Sequence, residues 1–331
     1  DRPNDRTILD PLGVPFAPLP AKPFASRPRG LVRFITSWGP SVRQTREAIK
    51  RLKTAHNRVT LVAMGGFVAA PAARAAHCEK IPVVLVNLDA VPGKANELIA
   101  RKAHTIYTAC DIQGHTDWQR VPPIVRASTM QPIDQAQARA RFDLDPRTPT
   151  LLITGGSTGA QSLNRFMQRF TAAHPDALNN WQVIHQTGKQ ISGTELNELR
   201  AAYAQAGITA WVQPYIDDMG AAYAAADLGI GRCGAGTVAE CWGAHLPSIF
   251  FPYPYHKDQH QLHNTKPLLA IDGAIACTDH VEPETNMREH AQTLIELLTG
   301  PDRLAKMRGA LEALGQPDGA VRIARALVDR P

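Results

Sequence analysis

The stretch DLGIGRCGAGTVAECWGAHLPSIFFPYPYHKDQHQLHN, residues 227–264, decides the fold. The apolar run 228–230 predicts a short buried strand. Gly231, Gly234 and Gly236 then make a glycine-rich turn, and residues 237–243 predict the start of a helix. A second apolar run, 247–251, predicts the next strand. It ends in a Pro/Tyr turn and a polar cluster of His256, Lys257, Asp258, Gln259, His260, Gln261, His263 and Asn264. Strand, glycine turn, helix and strand in this order are the unit of a parallel sheet.

The turn suits a phosphate. Glycine lets a backbone approach a ligand closely, and the free N–H groups and dipole of a helix N-terminus attract an anion. Thr237 can add a hydroxyl. Glu240, one helical turn on, can accept two hydrogen bonds from a ribose diol. The same tetrapeptide, Thr237-Val238-Ala239-Glu240, equally fits a capping box that only satisfies the helix start. Asp258 and Asn264 can cap the following helix just as well as they can meet a ligand.

Working outward, the alternation continues on both sides. Upstream, residues 31–55, 69–77 and 94–102 predict helices, and 59–64, 81–86 and 104–109 predict strands, with a weak strand signal at 13–16. Residues 122–150 carry Pro122, Pro123, Pro132, Pro146 and Pro149 around a charged helix at 135–142 and are the expected hinge. Beyond it, strands are expected at 150–154, 181–186, 208–212 and 274–278, and helices from 160 and over 284–298, 303–314 and 320–328. A second glycine loop, Gly155-Gly156-Ser157-Thr158-Gly159-Ala160, follows one of these strands. It is neither a Walker A motif nor a full GxGxxG, and a tight strand-to-helix turn explains it as well as a phosphate does.

The chain has 331 residues, enough for two cores. Its net charge of +6 permits phosphorylated ligands, nucleic acid or an anionic membrane without choosing among them. Aromatic residues are only 6%, which weakens a base-stacking role. The five cysteines stand apart with no CxxC, against a disulfide framework or zinc site and for a reducing compartment. No metal is expected from the twelve histidines, which lack HExxH or similar spacing. His185, at the end of a strand, is expected to support the cleft between two domains.

Arg232, Gly234, Ala235, Thr237, Val238, Glu240, Leu246-Pro247, Asp258, Gln261 and Asn264 resemble the nucleotide-sugar half of the MurG-type N-acetylglucosaminyltransferases of glycosyltransferase family 28. The resemblance extends through Gly155–Ala160, Leu163-Asn164, His185–Lys189 and 216–219. It implies an α/β GT-B fold, two Rossmann-like domains facing across a cleft. The implied division is 1–147 on the acceptor and membrane side, 148–317 for the UDP-sugar, and a terminal helix in 318–331 packing back on the first domain. It implies inverting transfer of N-acetylglucosamine from UDP-N-acetylglucosamine to the C4 hydroxyl of lipid I. No cofactor is implied, and the place of work is the cytoplasmic face of the bacterial plasma membrane, peripherally bound. Carried over by the resemblance, Ser157 touches the diphosphate and Ile216 holds uracil through its backbone. Arg126 lies near the nucleotide, and His260 and Gln261 read sugar hydroxyls. Gly65, Gly66 and Asn96 lie on the acceptor side.

Two departures stand beside the resemblance. The family's first glycine loop, which carries its general base, has no counterpart before Gly65, so no catalytic base is assigned. The chain is expected to be either a fragment lacking about forty N-terminal residues or a degenerate relative. The family's acceptor-side HEQN reads Val86-Asn87-Leu88-Asp89 here. These departures keep two alternatives: a different lipid or glycan acceptor, and a non-catalytic nucleotide-sugar-binding protein.

Residues 27–53 hold eight bases against one acid, among them Arg33 and Arg43, interleaved with Leu31, Phe34, Ile35 and Trp38. Bases around apolar and aromatic side chains suit monotopic contact with anionic lipid, and a polyprenyl-pyrophosphoryl acceptor would require it. The competing expectation is a solvated basic helix whose apolar side packs in the core. Nucleic acid is not an expected partner, for want of any binding motif.

Overall fold

The structure is a computed structural model, and it describes residues 9–10, 13–24, 27–156, 159–255 and 259–329. The chain divides into two units, Asp1–Val121 and Pro122–Pro331. The first contains the 28-residue helix α1 (Pro28–Ala55), which runs through Pro40. There follow β1 (Leu61–Ala63), α2 (Ala69–Cys78), β2 (Val83–Asn87), α3 (Lys94–Ala100), β3 (Thr105–Thr108) and β4 (Gln119–Arg120). The four strands form one parallel sheet in the order β1-β2-β3-β4. β2 is buried at every position, as expected of a strand covered on both faces. Residues 13–16 form no strand.

The second unit contains α4 (Gln135–Ala140), β5 (Thr150–Thr154), α5 (Gln161–Ala173), β6 (Gln182–Gln186), α6 (Gly193–Gln205), β7 (Ala210–Gln213) and α7 (Met219–Ala225). It continues with β8 (Leu228–Gly231), α8 (Ala235–Gly243), β9 (Ser248–Phe250), α9 (His260–Leu269), β10 (Ala274–Ala276), α10 (Pro283–Leu298), α11 (Pro301–Ala313) and α12 (Gly319–Val328). Its six strands are all parallel in the order β10-β9-β8-β5-β6-β7. From β5 the chain builds outward through β6 and β7, then returns to add β8, β9 and β10 on the other side. The strand order therefore reverses between β5 and β8, and in open α/β sheets ligands bind outside the C-terminal ends of the strands at such a reversal. One core layer joins Leu151, Ile153, Phe166 and Phe170 to Leu294 and Leu297 of α10. The other joins Leu152, Ile184 and Phe250 to Val238 and Trp242 of α8.

The expected boundary at 147/148 differs from the observed division. Residues 122–147 group with the second unit because their side chains are built into it. Ala138, Phe142 and Leu144 belong to its core. Arg139 is buried, donates to the Ala225 carbonyl at 3.1 Å and pairs with Asp227 at 2.6 Å. The closing helix α12 also groups with this unit, tied at its start by an antiparallel bridge between Asp318 and Ile124.

His185 corrects another expectation. It is fully buried inside the second unit, with Tyr203 Oη 2.9 Å from Nδ1 and Asn164 Oδ1 3.0 Å from Nε2. Asn164 Nδ2 donates to the Thr187 carbonyl, so its Oδ1 is the acceptor. Nε2 must then carry the proton, leaving Nδ1 to accept from tyrosine. A neutral ring satisfies both bonds, and this histidine joins β6, α5 and α6.

Burial pushes the His185 pKa down to about 3. Between that value and its ordinary 6.5 the unfolded chain binds a proton that the folded chain refuses, so stability falls as pH drops through this window. The loss from this group at pH 5 is about 2 kcal/mol. Denaturant titrations from pH 7 to pH 5 should show a shallower decline for His185→Gln than for the unchanged protein. Parallel declines would remove His185 as the cause.

Candidate functional site

Both glycine loops leave the strands that flank the reversal. Gly156 and Gly159 have φ of +75° and +82°. A Cβ on Gly155 would meet the Ala160 nitrogen at 2.2 Å, and one on Gly159 the Thr187 carbonyl oxygen at 2.4 Å. These two glycines are required by close packing at the ends of β5 and β6. Gly156 N–H is held by Thr154 Oγ1 at 3.1 Å, and that hydroxyl donates to Gln186 Oε1 at 2.6 Å. Ser157 and Thr158 lie outside the described residues, as do His256, Lys257 and Asp258.

The second loop differs. Gly234 is the N-cap of α8 and provides no side-chain cap, so the first-turn N–H groups have no partner within the helix. A Cβ on Gly234 or Gly236 would meet nothing within 4 Å, and neither glycine has a positive φ. Protein packing therefore gives no reason for glycine here; the missing side chains leave open space in front of the helix N-terminus.

The capping box at Thr237–Glu240 does not form. With Gly234 at the N-cap, Thr237 falls on the third helical residue and Glu240 on the sixth. Glu240 is buried, and its carboxylate accepts from Arg126 Nε at 2.8 Å on one oxygen and from Tyr223 Oη at 2.9 Å on the other. Arg126 Nη2 lies 2.6 Å from the first oxygen. A carboxylate has about four lone-pair directions, so acceptor capacity remains beside Arg126, whose side chain is 61% exposed. The arginine expected near the nucleotide and the carboxylate expected at the ribose are one ion pair. Burial, first, and the adjoining Cys241 and Glu240 raise the Tyr223 hydroxyl well above its ordinary pKa, so it stays a donor to Glu240.

Other expected residues divide. Ile216 and Val238 are core side chains, so only their backbones are available to a ligand. Arg232 is engaged inside the protein: Nη1 donates to the carbonyls of Phe251 and Pro252 at 3.0 and 3.2 Å. His260 and Gln261 open α9, and Gln261 Oε1 accepts from the Tyr253 N–H at 2.8 Å. Asn264 is not a cap; it lies within α9, buried, donating to the Cys233 carbonyl at 3.3 Å.

In the first unit, Gly65 and Gly66 follow β1 with φ of +85° and +75°. Asn96 Nδ2 donates to Asn87 Oδ1 at 2.9 Å, and Asn87 Nδ2 donates to the Asp89 carbonyl at 2.7 Å. This chain fixes both amides, and it leaves Asn96 Oδ1 buried without a partner. A Cβ on Gly65 would sit 2.8 Å from that oxygen, so glycine is needed there for both space and conformation.

The buried residues of α1 are Ser37, Ser41 and Ile49. Leu31, Val32 and Ile35 are exposed, so the apolar side of its first half is not core. Phe34 packs edge-to-face on Phe24 and at a tilt on Trp38, with ring centroids 5.6 and 5.7 Å away. Arg46 is spent on Glu79 at 2.7 Å, while Arg33 and Arg43 are exposed. Trp38, Leu98 and Ile99 line an open groove of about 300 Å³ together with Arg74, His77, Arg101 and Lys102. No helix among the described residues is long and apolar enough to cross a membrane.

Among the described residues, one group could gather around a cation: His280, Glu289 and His290, with ligand atoms within 4.8 Å of one another. His280 and Glu289 already bond each other, Nε2 lying 2.7 Å from the carboxylate, and His290 Nε2 lies 2.7 Å from the Thr278 carbonyl outside the group. The two rings stack 5.9 Å apart at 17°, an arrangement in which their in-plane lone pairs do not converge. The five cysteines are free thiols.

Residues 150–323 match the glycosyltransferase family 28 C-terminal domain, and residues 4–108 match the N-terminal domain of the same family. The chain belongs to glycosyltransferase family 28. Its relatives are of the MurG type. One is the UDP-N-acetylglucosamine--N-acetylmuramyl-(pentapeptide) pyrophosphoryl-undecaprenol N-acetylglucosamine transferase of Frankia casuarinae, 34% identical over 96% of this chain and 81% of the relative. The transferase of the same name from Mycolicibacterium smegmatis is 35% identical over 94% and 78%. The crystal structure of Acinetobacter baumannii MurG superposes with a TM-score of 0.70 at 26% identity, covering 98% of this chain and 88% of that one. A putative UDP-N-acetylglucosamine 2-epimerase from Listeria monocytogenes, at 12% identity and a TM-score of 0.63, shares the fold.

The two kinds of glycine should separate on substitution. Gly159→Ala should cost about 2 kcal/mol, from its positive φ and the contact with Thr187. Gly236→Ala should leave stability unchanged or raise it by about 0.5–1 kcal/mol, as alanine replaces glycine in a helix. Urea unfolding checks both, and a destabilising Gly236→Ala would mean that the space before α8 is not open.

Proposed function

We propose that this family 28 member transfers N-acetylglucosamine, with inversion, from UDP-N-acetylglucosamine to the C4 hydroxyl of a muramyl-pentapeptide on pyrophosphoryl-undecaprenol. The observation that carries the donor half is the uncapped start of α8. It stands behind two glycines that packing does not require, beside the Arg126–Glu240 pair, at the strand-order reversal. The diphosphate would lie against the N–H groups of α8 and the Gly155–Gly159 loop, with Ser157 and Thr237 adding hydroxyls. Glu240 would accept from the ribose diol, the backbone at Ile216 would meet uracil, and His260 and Gln261 would meet the sugar hydroxyls.

The chemistry follows from that placement. The acceptor oxygen attacks the anomeric carbon from the face opposite the leaving UDP and passes its proton to a general base as the new bond forms. The bond from that carbon to the diphosphate oxygen breaks, and negative charge grows on the diphosphate. Amide dipoles already aimed at that position stabilise the charge without reorganising. On the acceptor side, the unpartnered Asn96 Oδ1 beside Gly65 and Gly66 would take a hydrogen bond from an acceptor hydroxyl or amide N–H. A second reading, transfer to a different lipid or glycan, is favoured by one observation: Asn87 in the altered 86–89 segment is spent holding Asn96 and the Asp89 carbonyl.

The lipid-linked acceptor implies docking at a membrane surface, proposed here for the cytoplasmic face. The exposed Leu31, Val32 and Ile35, the Phe34 and Trp38 rings, the bases Arg33 and Arg43, and the basic groove behind Trp38 support it. Flotation with vesicles containing anionic phospholipid should capture the protein, weaken with salt, and drop for Val32→Ser/Ile35→Ser, whose exposed positions leave the fold intact. Equal capture by neutral vesicles would contradict this.

Titration calorimetry tests the donor half. Glu240→Ala should weaken UDP-N-acetylglucosamine binding by about tenfold or more, the loss of charge-assisted hydrogen bonds worth roughly 1.5–3 kcal/mol. Gly236→Ala should weaken it without loss of stability. Unchanged affinity in both would place the nucleotide elsewhere.

A further inference from the structure

We infer that Asp279, a residue of the loop after β10, is a positioning residue for the nucleotide-sugar site. Through Arg232 and Ser162 it fixes the loops at four neighbouring strand ends. The inference rests on the donor site proposed above.

The Asp279 side chain is completely buried, and that of Arg232 is 12% exposed. Their Nη1···Oδ2 distance is 2.7 Å. The same Oδ2 accepts from Ser162 Oγ at 2.6 Å, and Ser162 Oγ accepts from Arg232 Nη2 at 2.9 Å, closing a three-membered ring of contacts. Oδ1 accepts from Asn286 Nδ2 at 3.0 Å and from the Val281 N–H at 2.8 Å. Burial pushes this carboxyl up, but the Ser162 and Asn286 hydrogen bonds and the Arg232 charge outweigh it, so the group stays below its ordinary pKa and remains an anion.

The topology gives these contacts their meaning. β10, β9, β8 and β5 are consecutive neighbours in the sheet. Ser162 lies in the first turn of α5, directly after the glycine loop of β5. Arg232 follows β8, two residues before Gly234. Its Nη1 also holds the carbonyls of Phe251 and Pro252, the root of the segment that leads from β9 to His260 and Gln261. Asp279 follows β10. One anion therefore sets the mutual position of both glycine loops and of the segment proposed to read the sugar. The Asp279 loop is itself held against preference: Val281, a β-branched residue, has φ of +66°. Such strain persists where surrounding contacts over-determine it, and here its N–H is bonded to Asp279. A guanidinium serving only to bind ligand would not need four protein oxygens.

The test compares the unchanged protein with Asp279→Asn and Ser162→Ala, reading kinetics with UDP-N-acetylglucosamine, calorimetry with UDP, and thermal stability. Asp279→Asn keeps the shape but removes the charge that pairs with Arg232, and its NH2 group must face either the Arg232 and Ser162 donors or the Asn286 and Val281 donors. It should raise the donor KM by about tenfold to a hundredfold, the range a small misplacement of a binding group produces, and weaken UDP binding in parallel. The acceptor KM should stay unchanged, a split that general destabilisation would not give. Ser162→Ala, a milder change that removes the tie to α5 alone, should shift the donor KM in the same direction by a smaller factor. It carries the test should Asp279→Asn fail to fold. Unaltered donor KM and UDP affinity in the folded variants, with only a lowered melting temperature, would overturn the inference. Absence of UDP binding by the unchanged protein would instead overturn the donor-site reading beneath it.

Discussion

Between β5 and β8 the chain leaves one sheet in two directions, and everything proposed for this protein depends on that reversal. Loops that follow strands on the same side of a sheet pack over one another's ends. Where the order reverses they part and leave an opening at the C-terminal edge. The two glycine loops occur at the two strand ends that border the opening. Packing accounts for Gly155 and Gly159, which have backbone where a Cβ would stand. It does not account for Gly234 and Gly236, which face empty space. The first pair shapes the loop; the second pair keeps the helix N-terminus accessible.

Around that opening the protein satisfies its polar groups with one another and leaves few to spare. Arg232 is held by carbonyls, a hydroxyl and a buried carboxylate, and His185 by Asn164 and Tyr203. Glu240 is anchored on Tyr223 and Arg126 yet has lone pairs remaining. Buried polar groups that are fully paired rigidify a site, and binding groups held in place lose less entropy when a ligand arrives. The Asn96 carbonyl oxygen in the first unit is the counterpart, a buried acceptor without a partner, whose desolvation a ligand donor would offset.

Much of the fold was legible in the sequence because β-branched runs alternate with helices and glycines mark the turns. The span 150–154 was read to the residue, as apolar runs bounded by Pro and Gly leave little choice of strand ends. α6 was missed although Ser192 and Glu195 form a true capping box at its start. The same pattern at Thr237–Glu240 forms none. The two differ in where the helix begins: Ser192 is itself the N-cap, whereas Gly234 starts α8 before Thr237 is reached. Spacing within four residues cannot reveal that. The family resemblance pointed to Arg126 and Glu240 separately, but their pairing spans 114 positions and needs the tertiary fold. Asp279 carried no motif, and only its burial against Arg232 singles it out. The boundary near 147 misled because proline content marks chain stiffness, whereas the packing of Phe142 and Leu144 decides which core a segment joins.

The edge between β5 and β8 is proposed to hold the diphosphate of a nucleotide sugar. Amide chemical shifts followed by NMR during titration with UDP test it most directly. The largest shifts are expected on Gly155, Gly156, Gly159, Gly234, Ala235 and Gly236, saturating together, with smaller changes at Ile216. Saturable shifts centred on other strand ends of the second unit, with these six amides unmoved, would contradict it.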